Sequence, residues 1–382
     1  MNEFYKIIDY IIDGDEKRGK FMESGTVLLM LITIILILVG LVKKNSLILF
    51  ILQLLWMYIL TAGNFNSADM MVHQNIFIAS QSGENQTIYG ALCYLFGHEG
   101  FDFIGMHAVL CIFAFISIYY FIKKYTLNYC FVMSLYFLYP FIDNVIQRRF
   151  FIASIVAIYA IIFIMKNSRL SKLVAIFLLV IAGLIHQAAF GFLIFLLLPF
   201  FKRMKNYKTI LMVFFIVVLG LMPIMPDIFK NFFGEAKVEL YFLILHEKIK
   251  YPIFNFILWG GFHLGFVYLY YNFYKICNNY IKEMEFEKNV LYINIISILI
   301  IPLYYWEPTF IRIYRTLIIF NYIAIANILP IGQIYYRPVF YVGLKYIVYS
   351  VIAFICIYFF AGAGYIEIVE PIFSNNILID IF

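Results

Sequence analysis

Asp69 closes the segment GNFNSA and opens MMVHQNIF, between two long apolar runs, and His73 follows it by one helical turn. A carboxylate at such a boundary is stable when it is wet, paired or put to use. At i and i+4 the two side chains share a helix face, so His73 can tune a proton-transfer group at Asp69. The same pair also reads as a solvated loop acid at a helix start. Arg148 and Arg149 open the apolar run RRFFIASIVAIYAIIFI. Adjacent like charges repel, and a helix N-terminus disfavours cations, so the pair calls for an anion. Guanidinium forks match phosphate oxygens bidentately. The alternatives are snorkelling to lipid headgroups or pairing with Asp143. His186 stands beside Gln187 in LIHQAAF, where a long apolar stretch breaks. It reads either as a cavity-lining acid–base group or as a histidine satisfied by a backbone carbonyl. Arg312 and Arg315 lie on one side of a helix start in WEPTFIRIYR, with Glu307 placed to neutralise one of them. They too have a second reading, as basic anchors in an aromatic belt.

Other polar pairs carry less. His98–Glu99 and His246–Glu247 lack the HExxH spacing of a zinc site and read as solvated loop pairs. The five cysteines fall mostly inside apolar runs, without metal-ligand spacing, and read as free thiols. No Walker motif or GxGxxG element supports a nucleotide-driven or nicotinamide-dependent enzyme. The inventory calls for no cofactor and no metal.

The elements that must hold these residues are membrane spans. Hydrophobic residues make up 64% of the 382-residue chain and charged residues 13%, against roughly half and a quarter in a soluble domain. That excludes a disordered chain, a disulfide-stapled module and an ordinary cytosolic enzyme. The expected fold is all-α, a polytopic membrane bundle of about eleven or twelve helices. The spans are drawn at 26–42, 46–62, 103–122, 127–141, 149–165, 172–185, 187–201, 209–225, 253–274, 290–306, 312–330 and 339–362. Residues 1–25 form a polar segment whose Phe4, Ile7, Ile8, Ile11 and Ile12 suit a short interfacial helix. Residues 26–363 form a single transmembrane domain with loops at 63–102 and 226–252, and 364–382 form a C-terminal tail. The run 87–96 is too short to cross and reads as re-entrant or interfacial.

More than half of the Lys and Arg residues lie in one set of alternate loops, including Lys43, Lys44, Lys123, Lys124, Lys202, Arg203, Lys205 and Lys208. The only acids in that set are Glu283, Glu285 and Glu287. The net charge of +6 is therefore a membrane-surface pattern and not a nucleic-acid footprint. The positive-inside rule puts these loops in the cytoplasm. Asp69, His73, Arg148, Arg149, His186, Glu307, Arg312 and Arg315 then gather at the outer face.

These features together resemble the EpsG family of bacterial exopolysaccharide polymerases, related to O-antigen polymerases of the Wzy type. The resemblance rests on Asp69 in NSADMMVHQ, Arg148 in NVIQRRFFIAS, His186 in GLIHQAAF and Arg312 in FIRIYR. Family members commonly have Tyr where this chain has His73, and Arg-Gln where it has Arg148-Arg149. The acidic-Pro-Gly-Phe element they often carry is replaced by NQTIYG at 85–90. The resemblance implies a glycosyltransferase-C-like bundle in the bacterial cytoplasmic membrane. It also implies joining of undecaprenyl-pyrophosphate-linked oligosaccharide units at the outer face, with the lipid pyrophosphate as leaving group. It assigns catalysis to His186, Asp69, Arg148 and Arg312. Substrate binding falls to Arg149, Arg315, His73 and Glu307. A flippase and a chain-length regulator are the implied partners. A flippase of lipid-linked glycans and a membrane O-acyltransferase are the competing functions; the first would show internal repeats. His186 is expected to be the base, with Asp69 as its rival.

Overall fold

The computed structural model describes residues 24–83, 87–166, 168–248, 252–277, 284–335 and 365–379, and among these it contains no strand. The chain folds as an all-α, polytopic membrane bundle. Among the described residues, eight helices are long and apolar enough to cross a bilayer. They are α1 (Ser24–Val42), α5 (Phe103–Tyr125), α6 (Tyr129–Ile146), α7 (Arg148–Met165), α10 (Thr209–Lys230), α11 (Pro252–Lys275), α12 (Glu285–Tyr305) and α13 (Pro308–Pro330). Two shorter apolar helices, α2 (Leu47–Ala62) and α9 (Gln187–Phe201), join them. So does α8 (Arg169–Ile185). The expected interfacial helix at the N-terminus and the span 339–362 lie outside the described residues.

Helix starts follow their side chains. Ser46, Thr87, Asp102 and Ser168 each accept a hydrogen bond from a backbone N–H two to three residues into the helix that follows. Such caps satisfy donors that a helix start leaves unpaired. The most buried spans are α6, α7, α12 and α13, which form the centre of the bundle, while α10 lies at its edge, with Ile210, Leu211 and Phe215 only partly buried against it. Three polar contacts tie the centre. Asn294 and Asn321 exchange hydrogen bonds between α12 and α13. His263 of α11 contacts Tyr304 and Ser297 of α12, each at 2.8 Å. Gln53 of α2 donates to Ser134 of α6 at 2.9 Å. In hydrocarbon, satisfied pairs of this kind specify which helices meet.

The stretch 63–102 is not an open loop. Met70, His73, Phe77 and Ser80 recur at helical spacing and are buried, and they fold into α3 (Met70–Gln81). α4 (Ile88–His98) lies against it, with Gln81 Nε2 donating to the Cys93 carbonyl at 2.9 Å. Neither helix is long enough to span. The stretch 226–248 is likewise folded into successive helical turns. There His246 is not solvated: it packs against Tyr305 and Trp306, with Nδ1 3.1 Å from the Trp306 carbonyl. His98 and Glu99 are exposed, as expected. The C-terminal residues are not a loose tail. Residues 365–374 form helical turns that bury Ile372 and Phe373, and Asn376 beyond them is fully buried. Cys93, Cys111 and Cys130 are free and buried.

Contacts sort the bundle into two ends. Lys202 pairs with Glu285 at one end, where Asn327 also bonds the Tyr125 carbonyl and Glu287. The lysine-rich turns lie there. The polar motifs lie at the opposite end.

Candidate active site

The site is built on the start of α7. Gln147, at φ −85° and ψ 54°, ends the helical run of α6 and turns the chain into α7. The next residues then fan out. Gln147 accepts a hydrogen bond from Arg315 Nη2 at 2.6 Å. Arg148 Nη2 donates to both the backbone carbonyl and Oδ1 of Asn64, at 2.5 and 2.8 Å. The Arg149 guanidinium lies over the Tyr89 ring of α4 at 5.4 Å. Phe150 carries the Arg312 guanidinium over its face at 5.6 Å and His186 edge-on at 5.3 Å. One helix start therefore gathers the ends of α2, α4, α8 and α13.

The four arginines do different things. Arg315 is neutralised: its Nη1 lies 2.8 Å from Asp143 Oδ2, both groups largely buried. The possible pairing of Asp143 with Arg148 or Arg149 is thus not formed, because the break at Gln147 points Asp143 toward α13 and Arg148 toward α2. Arg148 is fully buried and has no carboxylate partner among the described residues, and its Nε and Nη1 make no hydrogen bond. Its guanidinium lies 5.9 Å from the Phe103 ring. Arg312 donates from Nε to the Thr309 carbonyl at 2.8 Å, with Glu307 and Asp69 within electrostatic reach. Tyr241 stands within reach of both Arg149 and Arg312. Among the described residues, Arg148, Arg149 and Arg312 form no ion pair.

Asp69 and His73 serve opposite sides of this cluster. Asp69 sits at the start of α3 yet makes no capping bond, so its carboxylate is not consumed by the helix. Burial raises its pKa above the ordinary carboxylate value, and Arg312 opposes the rise. The residue nevertheless keeps exposed surface. His73 is buried beside Arg148 and Arg149 and stacks on Phe103 at 6.1 Å. Burial, and then the two arginines, push its pKa down to about 4, so it is neutral near pH 7. Neither ring nitrogen has a hydrogen bond of good geometry, although the Ile146 backbone lies beside it. Glu307 is buried and accepts from the Thr309 amide at 3.1 Å, which closes the turn before α13.

His186 ends α8 and caps the return into α9. Its Nδ1 accepts the Ala188 amide hydrogen at 3.2 Å. That occupies the Nδ1 lone pair, so the neutral imidazole carries its proton on Nε2.

Asn64, Tyr89, Gln147, Phe150 and Tyr241 were missed as site residues. Asn64 is one of the three polar residues of GNFNSA, and Gln147 is the uncharged polar residue of VIQRR; polarity between apolar runs was the available signal. Nothing in the spacing marks Tyr89 or Tyr241 among 32 tyrosines. Among the described residues no three His, Cys, Asp or Glu side chains converge to hold a metal ion.

The EpsG family model matches residues 47–370. The chain belongs to the EpsG family. No curated protein and no solved structure matches it. In this EpsG-family chain the match runs from the first residue of α2 to the turn that follows Val369, so every predicted site residue lies within it. Membership supports a polysaccharide-polymerase type of multi-pass bacterial membrane protein with glycosyltransferase-like chemistry.

Proposed function

We propose that this EpsG-family chain joins undecaprenyl-pyrophosphate-linked oligosaccharide units at the outer face of the bacterial cytoplasmic membrane. The observation that carries the reading is the unbalanced positive charge at one end of the bundle. Asp143 neutralises Arg315, while Arg148, Arg149 and Arg312 have no ion-pair partner among the described residues. Charge buried in this way is stabilised by a counter-anion, and a pyrophosphate at the membrane surface supplies one. A flippase delivers such units to this face, and a chain-length regulator is the natural partner for a processive polymerase.

The chemistry follows from the arrangement. A hydroxyl of the acceptor sugar attacks the anomeric carbon of the donor glycan. The bond from that carbon to the pyrophosphate oxygen breaks, and its electron pair leaves on the phosphate. Arg149 and Arg312 stabilise that developing charge, with the free Nε and Nη1 of Arg148 beside them. Arg315, already paired, holds Gln147 and hence the turn into α7. The hydroxyl proton passes to Asp69, whose raised pKa makes it a better acceptor than an ordinary carboxylate. His186 packs edge-on against Phe150, which carries Arg312 on its face, and caps the return into α9. His73 and Glu307 shape the pocket by lining Arg148 and Arg312. The products are a longer glycan on the acceptor lipid and free undecaprenyl pyrophosphate.

The test is polymerisation by the purified chain in vesicles carrying lipid-linked repeat units. Arg149→Lys and Arg312→Lys keep the charge and lose the planar fork. Each is expected to lower the rate at least about tenfold, or roughly 1.4 kcal/mol of transition-state stabilisation. Wild-type protein that moves labelled lipid-linked glycan between leaflets while linking none would instead make the chain a transporter.

A further inference from the structure

Arg148 is held by Asn64, and Asn64 is in turn held by the C-terminal segment. The Asn64 Nδ2 donates to the carbonyls of Pro371 and Asn375, at 2.8 and 3.2 Å. A single antiparallel bridge pairs Asn64 with Asn376. Around it, Phe65 N–H donates to the Asn375 carbonyl and Ile377 N–H to the Gly63 carbonyl, both at 3.0 Å. Asn376 is fully buried, and its Nδ2 donates to the carbonyls of Ile59 and Leu60 at 3.4 and 3.3 Å. Those carbonyls belong to the last turn of α2, where helix carbonyls run short of partners; the Ile59 carbonyl also accepts from the Gly63 N–H at 2.8 Å. Gly63 leaves room for this close approach: a Cβ there would stand 2.7 Å from the Ile59 carbonyl and 2.9 Å from Asn376 Oδ1.

An asparagine amide has a donor side and an acceptor side. With Nδ2 committed to two C-terminal carbonyls, Oδ1 must face the other way, toward Arg148. In the flipped orientation two donor groups, Nδ2 and the guanidinium, would meet. The C-terminal carbonyls therefore decide that Asn64 accepts from Arg148. Because Asn64 is neutral, it fixes the guanidinium without cancelling its charge. It engages Nη2 alone and leaves Nε and Nη1 unbonded. We propose that Asn64 and Asn376 are positioning residues for Arg148, and that the segment 370–377 is a clasp that orients this arginine toward the anion. Asn376 lies beyond the residues that the family model covers. The proposal rests on the reading of Arg148 as part of the anion-binding machinery.

The experiment compares Arg148→Gln, Asn64→Asp, Asn64→Ala, Asn376→Ala and the Asn64→Ala/Asn376→Ala double variant, as full-length protein in vesicles, with thermal unfolding in detergent as a second readout. Arg148→Gln tests the underlying reading: turnover within about twofold of wild type removes Arg148 from the machinery. With that arm satisfied, Asn64→Asp is the decisive variant. It keeps the acceptor oxygen and gives Arg148 an ion-pair partner, but like Asn64→Ala it loses the two amide bonds to the Pro371 and Asn375 carbonyls, so its thermal stability is expected to be no lower than that of Asn64→Ala. The KM for the lipid-pyrophosphate donor is expected to rise at least about tenfold, because the counter-anion now sits inside the site. A structural role alone would not separate stability from KM in this way. Asn376→Ala is expected to lower kcat/KM about three- to tenfold. The double variant should be no worse than Asn64→Ala, since both act through one contact. Normal kinetics in Asn64→Asp, or losses that multiply in the double variant, would overturn the proposal while leaving the polymerase reading intact.

Discussion

In the proposed reaction the proton transfer rests on one of two side chains, and their local bonds separate the roles. The expectation of a His186 base meets the Ala188 amide at Nδ1, which leaves Nε2 protonated in the neutral ring. Taking a proton at Nε2 would require the tautomer that sets Nδ1–H against that amide. Asp69 has no such commitment, and its pKa is raised by burial against the opposing pull of Arg312. The base is the ionised form, so activity falls as the pH drops through this raised pKa. The acid limb is expected at higher pH than an ordinary carboxylate gives. Single-turnover rates against pH check the assignment. Asp69→Asn should lose the limb and at least about 100-fold in rate. His186→Gln should keep the limb and lose about tenfold in rate. A limb that vanishes in His186→Gln and survives in Asp69→Asn would return the base to His186. The residue types at 69, 148, 186 and 312 were legible because ionisable groups beside apolar runs stand out. Their partners were not: Arg315 and not Arg148 takes Asp143, since a five-residue spacing cannot reveal the break at Gln147.

Individual elements position the site through close contacts more than through their ends. The turn from α8 into α9 is the clearest case. Gly183 faces Phe190 so closely that a Cβ would lie 2.3 Å from its ring. Gly183→Ala must push Phe190, and with it the return that His186 caps, so a loss of about 1–3 kcal/mol is expected. Thermal unfolding in detergent measures this, and an unchanged midpoint would show that the ring moves without strain. The helices α3 and α4 teach a related lesson. The buried set Met70, His73, Phe77 and Ser80 has helical spacing that a sequence reader can find. A span threshold passes over it, because an amphipathic helix of twelve residues reads as a polar loop when only crossing segments are sought. The C-terminal clasp has no comparable signal. Its bonds join backbone groups to one another and to the amides of Asn64, Asn375 and Asn376, and backbone groups are the same at every position.

At the scale of the whole molecule the bundle has two unlike ends. The lysine-rich turns and the arginine cluster are separated by the length of the spans. We expect the lysine-rich end to face the cytoplasm. Single cysteines at the exposed positions Ser82 and Asn206, placed in a background lacking the five native cysteines, test this with an impermeant thiol reagent on spheroplasts. Ser82 should label and Asn206 should not; the reverse pattern would move the site to the cytoplasmic face and exclude polymerisation outside. The sequence by itself determined the all-α membrane class, the approximate spans, and which ionisable residues would lie at one end. Those follow from hydropathy and chain alternation, which are properties of successive residues. Only the tertiary structure decided which arginine is neutralised, that Asp69 meets Arg312 while His73 meets Arg148, and that residues 370–377 return to hold Asn64. Such pairings depend on helix rotation and on the small breaks at Gln147 and His186. A rotation of one residue on a helix redirects a side chain by about 100° and leaves the hydropathy of the segment unchanged.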